Sequence, residues 1–389
     1  MLAKRNVGLA VLSGLLALAR AADVPASGTF EEHSAVTMAN DRLTVTILTQ
    51  GSTVAAVVLN GGEDKLGPLW NPMRMARELG RPESFNPGMG HFICVDGFGP
   101  VSAEERAAGL PGHGEAHLQT FTVLSTQEGG MAEVTLSAKL PLAEENFTRT
   151  YRMVDGENVV YIDSQLESLL GFDRPLNWAE HATIGSPWLE SGVTVVDVSG
   201  LRSQTRPWLQ QEAGGQTQRR LPPGKDFTWP MAPALDGAAV DMRTTPENPH
   251  YMDHTATLLD PARQLEWVTA LNPKRREILG YVFRRADYPW LQTWGNYPAN
   301  QKMARGMEFG TQPFDVPRRE AISLGTMFEN PVFRWLPAKA KIETRFLMFY
   351  ARVPEGFSRV DDVRLENGRI VIEDRRVAKQ VVLTVSRPL

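Results

Sequence analysis

Short runs of alternating apolar and polar residues recur along most of this chain, and a period of two is that of strands rather than helices. In residues 42–48, Leu43, Val45 and Ile47 share one face while Thr44 and Thr46 take the other. Comparable runs follow at 54–59, 120–125, 132–140, 147–153, 159–166 and 193–198. More lie at 265–271, 278–284, 321–327, 341–350, 369–373 and 380–385. Val154-Asp155-Gly156-Glu157 and Glu366-Asn367-Gly368 read as hairpin turns between such runs. Helical signals are few. Residues 72–79 predict one short helix, and Ser102-Ala103-Glu104-Glu105 has the form of a capping box opening another. Residues 26–35 read as a polar lead-in, and the Pro- and Gly-rich stretch 202–245 as long loops over one sheet face. The pattern predicts an all-β chain, a large antiparallel sandwich or barrel with few short helices.

Composition narrows the partners. At 389 residues and 42% hydrophobic content the chain can build a large core. Its 41 basic against 45 acidic side chains, a net charge of −4, lack the basic footprint of a nucleic-acid binder, so a neutral or small polar partner is expected. Lys4 and Arg5, an apolar run over 7–18 and Ala19-Arg20-Ala21 form a secretory signal of residues 1–21 with a small-x-small cleavage site. That predicts a periplasmic or secreted protein whose residues 22–389 form one domain. The leader is too short to span a membrane, and no later stretch is long and apolar enough to do so. Cys94 is the only cysteine, which excludes an intrachain disulfide.

Candidate chemistry concentrates in four motifs. Residues 176–189 set Glu180 and His181 between Trp178 and Trp188. A histidine held partly dry there suits proton transfer; it is equally readable as a buried strand histidine satisfied by a carbonyl. Residues 109–117 (GLPGHGEAH), if extended, align His113, Glu115 and His117 on one face, a Zn-type ligand set or a solvated strand edge. Asp253 and His254 precede an apolar strand, where Asp253 is also readable as turn chemistry. Glu308 sits between Met307 and Phe309 with a glycine on each side, where burial raises a carboxyl towards the range of a general base; a surface glutamate on an edge strand is the alternative. Trp208, Trp229, Trp290 and Trp294 lie in loop-like sequence, where they staple loops or offer stacking platforms to sugar rings.

The order of these motifs resembles the aldose 1-epimerase family of the galactose mutarotase-like superfamily. Gly67-Pro68-Leu69-Trp70-Asn71-Pro72 matches its early Leu-Trp element, and Leu110-Pro111-Gly112-His113-Gly114-Glu115-Ala116 its His-Gly motif. Asn177 with His181, Asp253-His254, and Glu308 with Thr311-Gln312-Pro313 follow in the family's order. The resemblance covers about residue 43 to the C-terminus. It implies a β-sandwich and anomer interconversion without a cofactor: Glu308 as base at the C1 hydroxyl, His181 as acid at the ring oxygen on the opposite side of the hemiacetal, and His113 steadying that oxygen. It further implies Asp253 accepting hydrogen bonds from sugar hydroxyls and Trp294 stacking on the ring. The arginine that relatives carry before the first histidine is missing from residues 91–100, which leaves Asp96, or Arg284 and Arg285 from another strand, to replace it. His117 falls where relatives often have arginine. A non-catalytic carbohydrate-binding protein and a polysaccharide lyase or hydrolase are the alternatives, the latter requiring Arg284, Arg285 or a metal at His113 and His117 to face the pocket.

Overall fold

A computed structural model describes residues 23–62, 65–128, 131–207, 219–248 and 250–389. The leader 1–21 and Trp208 lie outside the described residues. Two antiparallel sheets carry the fold. At the centre of a thirteen-stranded sheet, His91–Val95, Trp178–Gly185, Ala304–Gly310, Trp290–Tyr297 and Tyr251–Leu259 are neighbours in that order. An eight-stranded sheet packs on one face of it, running from Val195–Val198 through Leu265–Asn272, Glu277–Arg284, Lys341–Arg352, Val159–Ser168, Glu145–Val154 and Met131–Leu140 to Thr122–Glu128.

The core between the sheets takes the alternate residues the sequence pattern marks. Val45, Ile47, Ile93 and Phe309 come from the larger sheet, and Leu136, Phe147, Tyr151, Phe346 and Met348 from the smaller. Lys341–Arg352 stops alternating midway, with residues 346–351 all buried. The reason is a third layer. The C-terminal strands Asp362–Glu366, Arg369–Asp374 and Lys379–Thr384 cover the other face, so Leu347 and Phe349 join Ile370, Ile372 and Leu383 in a second core. A strand covered on both faces reads as a continuous apolar run. Asn367 and Gly368, with φ of 50° and 71°, make the tight turn of the last hairpin pair as their sequence predicts.

Three expectations are corrected. Residues 321–327 do not form one strand: Arg318–Leu324 is a helix, opened after Pro317 and closed at Gly325, whose φ is 69°, and only Thr326–Met327 is extended. There the alternation of Ile322 and Leu324 with Ser323 is outweighed by a proline start and a glycine stop. The polar lead-in is a hairpin of Asp23–Phe30 and His33–Ala39 that continues the larger sheet. Residues 202–245 contain, besides loop, Gly200–Thr205 and the short strands Asp226–Thr228, Met231–Pro233 and Ala239–Asp241. The helices Pro72–Glu78 and Ala103–Ala107 form where expected, the second with a reciprocal Ser102–Glu105 capping box.

Candidate active site

The outer face of the five central strands gathers the chemistry. Trp178–Gly185 and Ala304–Gly310 pair with His181 directly opposite Glu308. On the far side of each, His181 stands opposite Phe92 and Glu308 opposite Gln292. Because side chains alternate, Phe92, Cys94, His181, Thr183, Glu308, Gln292, Trp294 and His254 share this face. Glu180, one residue away, turns into the inter-sheet core. There it accepts hydrogen bonds from Trp178 Nε1 (3.0 Å) and Tyr288 Oη (3.1 Å) and pairs with Arg149 and His91. Burial would raise its carboxyl, but Arg149 and His91 hold it down at about 2.

His181 Nε2 lies 3.3 Å from Glu308 Oε1, and His181 Nδ1 lies 3.1 Å from Thr183 Oγ1. Phe92 stacks on the imidazole at 4.3 Å between centroids. Glu308 Oε2 accepts a 2.8 Å hydrogen bond from Gln292 Nε2, and Gln292 Oε1 in turn accepts one of 2.9 Å from the Asp315 backbone N–H. Gly306 makes the carboxylate's pose possible: a Cβ there would sit 2.0 Å from Glu308 Oε1. Burial first, then Asp315, pushes Glu308 well above the usual carboxyl range, against Gln292 and Arg206. Burial and the His113 imidazole push His181 well below its ordinary value. The pair therefore favours its neutral form, acid and imidazole side by side rather than across a substrate.

His113 reaches this pair from the loop before Ala116–Leu118. Its φ is 64°, and Gly114 lets the loop lie against the strand end, since a Cβ there would meet Val95 O at 1.8 Å. The His113 and His181 rings are 5.5 Å apart. Nδ1 of His113 accepts the Gly99 N–H at 3.2 Å, which leaves its proton on Nε2. Burial, with His117, lowers this imidazole to about 4.

The metal alternative does not assemble from the three residues proposed for it. The segment is a loop and a 3-10 turn rather than a strand, so Glu115 turns away to accept hydrogen bonds from Ala143 N–H (2.8 Å) and Gln119 Nε2 (3.1 Å). His117 alone stays near His113, with 6.3 Å between rings. Among the described residues, no group of three or more His, Cys, Asp or Glu is placed to hold an ion.

Several expected substrate contacts are elsewhere. Asp253 has the opposite parity to Glu308: it faces inward, bound by Arg220 at 2.7 Å, and the residue on the site face is His254. Asp96 is buried under Arg174 (2.6 Å) and Arg318 (3.3 Å), not presented to a sugar. Arg284 lies in the smaller sheet, tied to Asp287 at 2.7 Å, and Arg285 donates to Asn330 Oδ1 at 3.0 Å. Trp294 is on the site face, half-buried, beside Gln292. Trp290 and Trp294 belong to a strand rather than a loop, and Trp229 is a buried staple. Residues that motif reading passed over are Gln292, Asp315, Arg206 and Phe92. The signal for Gln292 and Phe92 was parity, which needs the strand register.

The layering of these sheets is similar to the β-sandwich of solved galactose mutarotase-like proteins. A Klebsiella pneumoniae protein provisionally named an aldose 1-epimerase has a similar structure over 84% of this chain and 81% of its own, at a TM-score of 0.58 and 14% identity. A galactose mutarotase-like protein of Clostridium acetobutylicum matches 86% of this chain and 99% of its own, with a TM-score of 0.54 and 12% identity. A galactose mutarotase related enzyme of Lactobacillus acidophilus matches 85% and 100%, at 0.53 and 13%. No family model and no curated protein matches the sequence.

Proposed function

We propose that this protein is an exported aldose 1-epimerase that interconverts the anomers of a sugar. The observation that supports this reading is the 3.3 Å His181–Glu308 contact on one sheet face. O1 and the ring oxygen are both bonded to C1, so an acid and a base that are themselves neighbours suit them. The pair holds one exchangeable proton. With substrate in place, the Glu308 carboxylate takes the proton of the C1 hydroxyl while the His181 imidazolium gives one to the ring oxygen. The C1–O5 bond breaks to an open-chain aldehyde, and the pair becomes carboxylic acid and neutral imidazole, the form that burial favours. Rotation about C1–C2 and the reverse transfers close the other anomer. His113 Nε2–H donates to the ring oxygen, and Trp294 offers an apolar face to the ring.

A non-catalytic binder has no use for a buried acid next to a buried imidazole. A lyase acting on uronates would draw on Arg284 or Arg285, both engaged away from the pair. Polarimetry of freshly dissolved α-glucose, α-galactose and other aldoses, wild type beside Glu308→Gln, tests the reading. Acceleration that vanishes in the variant is expected; none with any aldose overturns it.

A further inference from the structure

Asp96, expected at the sugar, is instead the fastening of the loop that seats His113. It follows directly on His91–Val95, is 1% exposed, and has a φ of 58°. Positive φ is uncommon for a residue with a side chain, and such backbone persists only where its surroundings over-determine it. Here they do. The Asp96 N–H donates to Asn177 O at 2.9 Å, and its carboxylate takes both terminal nitrogens of Arg174, Nη1 reaching Oδ1 at 2.6 Å and Nη2 reaching Oδ2. Arg318, at the start of the helix Arg318–Leu324, adds a contact to Oδ1 at 3.3 Å. A fork of two charge-assisted bonds fixes direction as well as distance. Arg174 Nη2 also meets Glu145, but burial, then Asp96, pushes the Glu145 carboxyl well above the usual range, so Arg174 answers chiefly to Asp96. Glycine would meet this φ freely; what it would lack is the carboxylate.

The fork holds the turn 96–99, and the turn holds His113. The His113 N–H donates to Gly99 O at 2.8 Å, and the Gly99 N–H donates to His113 Nδ1 at 3.2 Å, so one residue grips both backbone and ring. Cys94 Sγ lies 3.5 Å from the same Nδ1. The Phe98 ring stands edge-on to the imidazoles of His113 and His181, at 6.2 and 6.3 Å between centroids. Asp315 lies so close against Gly99 that a Cβ there would meet its Cβ at 2.5 Å. That same Asp315 donates the N–H that orients Gln292 towards Glu308. The turn therefore touches the site on two sides, at the His113 ring and at the chain leading to Glu308.

We infer that Asp96 is a positioning residue: forked by Arg174, it locks the turn 96–99 so that His113 Nε2–H is aimed at the ring oxygen of the sugar. Asp96 touches neither substrate nor His113 and acts through the turn. The inference rests on the anomer-interconversion reading for what His113 does, but the seating of the ring can be measured without turnover.

The test is NMR of the whole protein labelled in its histidine rings and titrated with acid. Wild-type His113 should titrate at about 4, held low by burial and His117. Asp96→Gly suits the positive φ and deletes the fork, so His113 should titrate about one unit or more higher as water reaches the ring. Arg174→Lys keeps the charge, loses the fork and should move His113 the same way. Asp96→Asn tolerates the same φ and keeps one acceptor, so it should fall between wild type and Asp96→Gly. The His91 imidazole, paired with Glu180 in the inter-sheet core, should not change in any of them. With an aldose that the wild type turns over, kcat should fall about 10- to 100-fold in Asp96→Gly and recover in part in Asp96→Asn. A purely structural Asp96 would lower the melting temperature and leave His113 titrating at about 4. That result overturns the inference, read in Asp96→Asn and Arg174→Lys if Asp96→Gly does not fold. A shifted His113 with unaltered kcat overturns it too. A shifted His113 in a protein whose wild type accelerates mutarotation of no aldose would instead overturn the epimerase reading and leave the clamp standing.

Discussion

His181 and Glu308 stand directly opposite each other on adjacent antiparallel strands, and Nε2 of the one lies 3.3 Å from Oε1 of the other. No loop sets this distance; the register of two buried strands does. Residues at that spacing are preorganised for proton exchange, at no cost in loop ordering during turnover.

Glu308→Gln keeps the shape of the side chain and removes its basicity. Mutarotation should fall by about 10²–10⁴-fold, the span of a lost acid–base group. Sugar affinity, read by titration calorimetry, should stay within a few-fold.

The pH profile should have an unusual width. In the proposed mechanism, turnover needs the single proton the pair shares. On the acid side activity fades when His181 gains a second proton, which occurs well below the ordinary imidazole value because burial and His113 disfavour it. On the alkaline side it fades when the pair loses its proton, well above the ordinary carboxyl value. Asp315 raises Glu308, so Asp315→Asn should move the alkaline limb of kcat/KM to lower pH. An unmoved limb would exclude that coupling.

Gly306→Ala should separate packing from chemistry. The added Cβ would lie 2.0 Å from Glu308 Oε1, and the flexible carboxylate, not the backbone, must give way. The fold should persist by circular dichroism, while kcat drops by about 100-fold, the scale of an ångström's misplacement of a catalytic group.

Glu180→Ala should act on stability instead. It leaves the Arg149 guanidinium buried and unpaired, which costs about 3–5 kcal/mol and is measurable as a lower denaturant midpoint. The Glu180 carboxyl is depressed to about 2 when folded, below its unfolded value. Its contribution is therefore present above the unfolded carboxyl range and is lost as pH falls through about 2. Acid unfolding of the variant should show correspondingly less dependence on pH in that window.

Asp253→Asn should cost stability through Arg220 rather than sugar affinity, because Asp253 faces the interior. A thermal melt alongside calorimetry decides: a lower melting temperature with unchanged binding is expected. Weakened binding at an unchanged melting temperature would put Asp253 back at the sugar.

Much of the architecture was legible from the chain alone. Period-two alternation marks the strands from Leu43–Leu48 to Lys379–Thr384, because a sheet with one covered face must sort its side chains. Where that logic failed, in the run 321–327, a proline start and a glycine stop dictated the helix Arg318–Leu324 in spite of alternating residues. His181, Glu308 and His113 were also visible, as polar groups in apolar or glycine-rich settings. Their convergence was not. It depends on which strands become neighbours and in what register, and a shift of one residue exchanges the two faces of a strand. That is why Asp253 and His254, adjacent in sequence, serve opposite sides of the sheet, and why Glu180 stabilises the core while His181 lines the site. Residue types and strand periods belong to the sequence; the pairing of distant strands, settled by burial of both sheet faces at once, belongs to the tertiary structure.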